Sequence, residues 1–176
     1  MINYAAFFKV TYGLFIVSSG NMSKGNGFIS NSVIQVTSEP PQFAVCCSKN
    51  NLTAEFIRNT GSFSISILEK SVKPETIGRF GYKSGKDINK LEGIPVKEGE
   101  SGVPVVLEDT MATIECQLNQ TVDVGTHLIF IGKVLDAEIL KEGAEPMTYT
   151  YFREVRKGFA PKNAPTYVDK ARLGKP

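Results

Sequence analysis

Ser48-Lys49-Asn50-Asn51-Leu52-Thr53 is the run whose residue types are best suited to binding chemistry. It follows an apolar stretch, residues 42–47, and leads into TAEFIRNTG, whose apolar spacing predicts a short helix stopped at Gly61. Asn and Thr are good helix caps, and the first turn of a helix leaves backbone N–H groups that favour an anion. Lys49 adds positive charge beside that start. A second polar run, Ser30-Asn31-Ser32, interrupts the apolar stretch 28–36, just past a flexible Gly25-Asn26-Gly27 turn. A half-buried strand should alternate, so three successive polar residues put hydroxyl or amide groups on both faces. Such a strip, with an anion seat at the end of the next strand, suits a ligand carrying a heterocycle and a phosphate. An ordinary hairpin with a well-capped helix accounts for the same residues equally well.

Other candidate motifs fail on spacing. Gly81-Tyr82-Lys83-Ser84-Gly85-Lys86-Asp87 imitates a phosphate-binding loop, but it is short, and Asp follows the Lys where Ser or Thr is needed. Gly25-Asn26-Gly27 lacks the third glycine of a dinucleotide fingerprint and precedes a strand. No GxSxG occurs. His127 is the only histidine, which excludes a multi-histidine metal site, and a lone His opening a strand is more often structural than catalytic. Cys46, Cys47 and Cys116 are odd in number and lack CxxC spacing, which argues against a disulfide framework or a zinc site and fits a reducing compartment. They are expected to be buried small hydrophobes, with Cys46 and Cys47 on opposite faces of one strand.

The elements that must position these residues are mainly strands. Residues 12–18, 28–36, 42–47, 63–67, 112–118 and 127–139 read as strands, with Glu39-Pro40-Pro41 joining the second and third. Residues 63–67 alternate cleanly and predict a strand with one wet face; NQTVDVG reads as a turn; Gly132 marks a bulge or a close backbone approach. A short helix starts at Pro74, and a basic, glycine-rich excursion follows, with Arg79, Lys83, Lys86 and Lys90. Such loops on a rigid scaffold often carry ligand contacts. Short helices among period-two strands predict a mainly β fold, an antiparallel barrel. The last segment, residues 149–176, begins helical or extended and ends as an irregular basic tail.

A chain of 176 residues is one domain by its length. Twenty Lys and Arg against 18 Asp and Glu give a net charge of +2 and no basic stripe, so nucleic acid is not an expected partner. The first twenty residues lack an early basic region and Lys9 breaks their apolar run. No stretch approaches the roughly 18 apolar residues of a membrane span, so neither secretion nor a membrane is expected and the cytoplasm is the expected location.

Several blocks together resemble the flavin reductase family. They are Tyr12-Gly13-Leu14-Phe15-Ile16-Val17, Asn26-Gly27-Phe28-Ile29-Ser30-Asn31-Ser32, Val36-Thr37-Ser38-Glu39-Pro40-Pro41 and Cys47-Ser48-Lys49-Asn50-Asn51-Leu52-Thr53. Phe80-Gly81-Tyr82-Lys83-Ser84-Gly85-Lys86-Asp87, Thr126-His127-Leu128-Ile129-Phe130-Ile131-Gly132-Lys133-Val134 and Ala160-Pro161-Lys162-Asn163-Ala164-Pro165-Thr166-Tyr167 continue the likeness. The branch that these blocks most resemble is that of flavoredoxin and of the flavin domain of high-molecular-weight rubredoxin. The resemblance implies an antiparallel FMN-binding split β-barrel over residues 1–168, a short basic tail over 169–176, and a homodimer.

By the same resemblance, Asn26, Phe28, Ser30, Asn31 and Ser32 run along the flavin ring and ribityl chain. Ser48, Lys49, Asn51 and Thr53 hold the phosphate, and Lys90, His127 and Tyr151 approach the cofactor. No catalytic side chain and no metal ligand is implied, because flavin carries the chemistry. The implied activity is NAD(P)H-dependent flavin reduction with electrons passed to an acceptor; the alternative is an FMN-binding electron-transfer protein without direct NAD(P)H turnover. Rubredoxin or another small electron carrier is an implied partner. The paired CxxC motifs that follow the APTY segment in two-module relatives are absent here, so any iron centre is expected on a partner. Arg153, Arg156, Lys157, Lys162, Lys170, Arg172 and Lys175 give this end a positive excess that could steer an acidic carrier, while a solvated tail with no partner accounts for them slightly better.

Overall fold

A computed structural model describes residues 2–173. The main strands are β1 (Phe15–Gly20), β2 (Gly25–Ser30), β3 (Val33–Ser38), β4 (Pro41–Ser48), β5 (Ser62–Leu68), β8 (Thr110–Asp123) and β9 (His127–Ile139). They form one antiparallel sheet in the order β2-β1-β5-β8-β9-β4-β3. A separate hairpin pairs β6 (Val96–Glu98) with β7 (Pro104–Val106). Helices α1 (Leu52–Thr60), α2 (Pro74–Gly81) and α3 (Tyr149–Glu154) pack around the sheet. Consecutive strands β2 and β3 occupy opposite edges of that sheet, while β2 touches β4. The sheet therefore curls until its edges approach, giving the barrel the strand pattern predicts, open along a seam.

Two apolar clusters hold this shape. Val17, Val45, Phe63, Ile65 and Phe130 fill the barrel together with Ala54 and Ile57 of α1. Leu14, Ile16, Val72, Ile77, Phe80 and Met147 form the second, with α2 and α3 against the outer side of β1. Asn51 caps α1 by accepting from the Thr53 N–H at 3.0 Å, and Gly61 ends it in the left-handed conformation. Pro74 opens α2, as its position predicts. Gly132 is a site of close approach: a Cβ there would lie 2.7 Å from the Cys116 Cβ and 2.8 Å from the Phe63 ring.

Four expectations need correction. Residues 28–36 are two strands, broken at Asn31 and Ser32. There the Ser32 N–H turns back to the Ser30 hydroxyl, and the Ser32 carbonyl accepts from Cys46, so local bonds replace the ladder while the chain crosses from one sheet edge to the other. Gly25-Asn26-Gly27 is the start of β2 rather than a turn; the turn lies at residues 21–24, closed on the Asn21 side chain. The serine face of residues 63–67 is dry. Ser64 and Ser66 are fully buried and donate to the Pro104 and Val106 carbonyls at 2.7 Å, because the β6–β7 excursion covers that face. NQTVDVG is mostly strand: β8 continues to Asp123 against β9, and only Val124, Gly125 and Thr126 turn.

Candidate functional site

One cavity of about 460 Å3 opens where the seam of the barrel meets α2 and residues 159–165. Phe28, Ile29, Ser30 and Asn31 form its first wall, at the end of β2. Cys46, Ser48, Asn50, Asn51 and Leu52 form the second, running from β4 into the first turn of α1. The break in residues 28–36 and the polar turn that follows β4 are thus brought to face one space. In that turn the Asn51 N–H donates to the Ser48 carbonyl at 3.0 Å and the Asn50 N–H donates to the Ser48 hydroxyl at 3.3 Å.

The third wall comes from α2 and the loop after it: Ile77, Phe80, Tyr82, Lys83, Ser84 and Lys86. Tyr82, Lys83, Ser84 and Lys86 lie in the segment whose spacing excludes a phosphate-binding loop. Its basic, glycine-rich composition was the signal for a ligand contact. Lys90 closes the corner. Its residue is only 3 % exposed, and its ammonium donates to the Gly27 carbonyl at 3.0 Å and the Phe80 carbonyl at 3.2 Å. No carboxylate pairs with it among the described residues. Burial without a counter-charge lowers its pKa from the ordinary lysine value to about 8.

The fourth wall is a strap without regular structure: Phe159, Ala160, Pro161, Asn163, Ala164 and Pro165. Three side chains from around the cavity rim tie it down. The Tyr82 hydroxyl donates to the Phe159 carbonyl at 2.8 Å, and the two rings stack with centroids 5.0 Å apart. The Asn31 amide donates to the Thr166 hydroxyl at 2.6 Å. His127 Nε2 lies 3.0 Å from the Asn163 carbonyl, which can only accept, so Nε2 donates there, and Nδ1 lies 2.8 Å from the Thr126 hydroxyl.

The structure therefore gathers Phe28, Ser30, Asn31, Ser48, Asn51 and Lys90 around one space. The other six residues singled out in the sequence stand off it. Asn26 and Thr53 are buried behind the wall, where the Asn26 amide donates to the Thr53 hydroxyl at 3.0 Å. Ser32 donates to the Asn31 side chain. Lys49 points its ammonium to Asp123, 2.6 Å away on the surface, and this pairing holds the Asp123 carboxyl below the usual range. His127 touches the cavity through the strap. Tyr151 lies under the Lys70 ammonium, 5.0 Å from its ring centroid, whereas Tyr149, two residues earlier in α3, lines the cavity.

Cys46 departs from its expected role. It is half-buried and on the wall, while Cys47 and Cys116 are buried in the barrel. Burial raises the Cys46 thiol pKa, so it faces the cavity as a neutral S–H group. No helix among the described residues is long and apolar enough to cross a membrane.

The donor set fits a flat heterocycle with a phosphate: apolar Phe28, Ile29 and Phe80 for a ring face, amides and hydroxyls along one edge, and a polar turn and lysines for an anion. Comparison with known proteins points the same way. Residues 7–159 match the flavin reductase like domain family. The chain is 46 % identical to a high molecular weight rubredoxin of Moorella thermoacetica, over 97 % of this chain and 76 % of that protein. It is 41 % identical to a ferric-chelate reductase (NAD(P)H) of Archaeoglobus fulgidus, over 93 % of this chain and 96 % of that one. Flavoredoxin from Methanosarcina acetivorans superposes with a TM-score of 0.69 at 23 % identity, covering 77 % of this chain and 74 % of its own.

Proposed function

Since this chain belongs to the flavin reductase like family, we propose that it binds FMN in the seam cavity and uses it to pass electrons from NAD(P)H to an acceptor. The observation that carries this reading is the convergence of the β2 end, the Ser48–Leu52 turn and three lysines on one cavity of about 460 Å3. When bound, FMN supplies the hydride acceptor, its N5.

The chain's residues bind and orient. Ser30 and Asn31 offer a hydroxyl and an amide to a ring edge, and Phe28, Ile29 and Phe80 exclude water from a ring face. The polar turn from Ser48 to Asn51 and the lysines Lys83 and Lys86 would receive the phosphate, with Lys49 beside that turn but turned to Asp123. The Lys90 ammonium adds positive charge in a setting where solvent screens it little. Flavin released by denaturing the purified protein should be FMN; release of FAD alone would overturn the choice of cofactor.

A homodimer is part of the same reading. It is supported by family membership and by β3, an edge strand with Ile34 and Val36 exposed. Sedimentation of the FMN-loaded protein as a single chain at micromolar concentration would remove it. The relative named as a rubredoxin supports a small iron–sulfur carrier as one acceptor.

A further inference from the structure

The strap that forms the fourth wall is held differently from the other three. No residue from 159 to 166 is buried. Among the described residues its backbone bonds to no strand and no helix. Ala164 donates to the Pro161 carbonyl at 2.8 Å, and Tyr167 donates to the Ala164 carbonyl at 3.0 Å. These two turns, with Pro161 and Pro165 fixing φ, make the strap a stiff unit.

Its near end has a defined pivot. The chain leaves α3 through Lys157, whose φ of 57° lies in the left-handed region. Gly158 then donates its N–H to the Phe152 carbonyl at 2.9 Å. A Cβ at Gly158 would lie 2.1 Å from the Phe152 ring, so the position requires glycine. Phe152 is buried in the second apolar cluster, which fixes the pivot to the core. Beyond the strap, residues 167–169 again have no regular structure.

The three tethers reach it from separate elements. Tyr82 follows α2, His127 opens β9, and Asn31 sits in the break between β2 and β3. Tyr82 holds Phe159 twice, by its hydroxyl and by its ring, although Phe159 remains 66 % exposed. Tyr82 and Asn31 also line the cavity, so closure of the strap and filling of the space involve the same side chains. A segment with few buried groups opens at small free-energy cost, and a pivoted one beside a ligand cavity can gate it.

We propose that the strap is a hinged lid over the seam cavity, that Tyr82 is its latch, and that its opening sets how fast flavin enters and leaves. The proposal rests on the reading that FMN fills that cavity. The latch bonds are made to the strap, so loosening them opens the empty and the filled protein by one factor. A gate therefore changes entry and release together and leaves the Kd unchanged, whereas losing a ligand contact raises release alone. Loss of one hydrogen bond changes the open population by roughly 2- to 10-fold.

The test is stopped-flow fluorescence of FMN entry and release in wild type, Tyr82→Phe and Thr166→Val. Tyr82→Phe keeps the stacked ring and removes the hydroxyl. Thr166→Val removes the acceptor of the Asn31 amide from a residue that is off the cavity wall. Cooperative melting checks that both variants fold. Entry and release that both rise by roughly 2- to 10-fold, with the Kd unchanged, support the lid. Any other pattern, such as rates that match wild type or release that rises alone, overturns it. Trypsin reads the strap without flavin: cleavage after Lys162 in flavin-free protein should be faster in both variants by the same factor. FMN that fails to bind wild type removes the reading of the ligand, whereas unchanged cleavage removes the lid.

Discussion

Asn26 donates its side-chain amide to the Thr53 hydroxyl at 3.0 Å, and both residues are buried. The bond locks β2, with its polar end, against the first turn of α1, and so sets the spacing between two walls of the cavity. Thr53→Val keeps the volume but strips the amide of its acceptor, which should cost about 1–3 kcal/mol in chemical denaturation. Because the hydroxyl is already engaged, the loss should appear in flavin-free protein as fully as in loaded protein. Unchanged stability without flavin, combined with weaker FMN binding, would assign the hydroxyl to the ligand.

Lys90 should give a pH signature. Its folded pKa of about 8 lies below its ordinary value of 10.5, so the unfolded chain binds more protons between those limits. Stability of the flavin-free protein should therefore rise with pH across that window, by at most about 1.4 kcal/mol per pH unit from this group. The buried cysteines oppose it above their ordinary value of 9.0, since their folded pKa values are raised and only the unfolded chain ionises. The difference between wild type and Lys90→Met isolates the lysine. A difference that stays flat from pH 7 to 10.5 would show that burial does not depress this group.

Lys49 and Asp123 form an exposed pair that is worth little to stability. Its interest lies in the ligand. Asp123→Asn releases the ammonium, so the ratio of FMN to riboflavin affinity should increase, and Lys49→Ala should lower it. Both effects should shrink with added salt. Equal responses of FMN and riboflavin, which has no phosphate, would put the phosphate elsewhere.

Steering of an acidic carrier has fewer free charges than the sequence offers. Arg153 pairs with Glu154, Arg156 donates to the Val72 carbonyl, and Lys175 lies outside the described residues. Lys157 and Lys162 remain exposed near the strap. Reduced protein should still pass electrons to an added rubredoxin faster at low than at high ionic strength. A rate insensitive to salt, and to removal of the residues after Tyr167, would exclude docking at this end.

What was legible in the sequence is what local chemistry fixes. Residues 127–139 read as a strand and form one, and Asn51 and Gly61 bound α1 as their types require. What escaped depends on distant segments. The Ser64 and Ser66 face reads as wet because its cover, β7, lies 40 residues away. Lys49 reads as free because Asp123 is 74 residues away. Alternation has nothing to register in residues 159–165, a strap without regular structure. Lys83 and Lys86 belong to a loop whose composition signalled a contact but whose spacing matched no phosphate motif.

The central claim is that this chain passes reducing equivalents from a nicotinamide to its own bound flavin. The direct measurement is an anaerobic titration of the purified, FMN-loaded protein with NADH and, separately, NADPH, followed in the visible flavin band. The account predicts that at least one nucleotide bleaches the band stoichiometrically and that air restores it. A band untouched by either nucleotide, yet bleached by dithionite, would contradict the account and leave an electron carrier reduced by another protein.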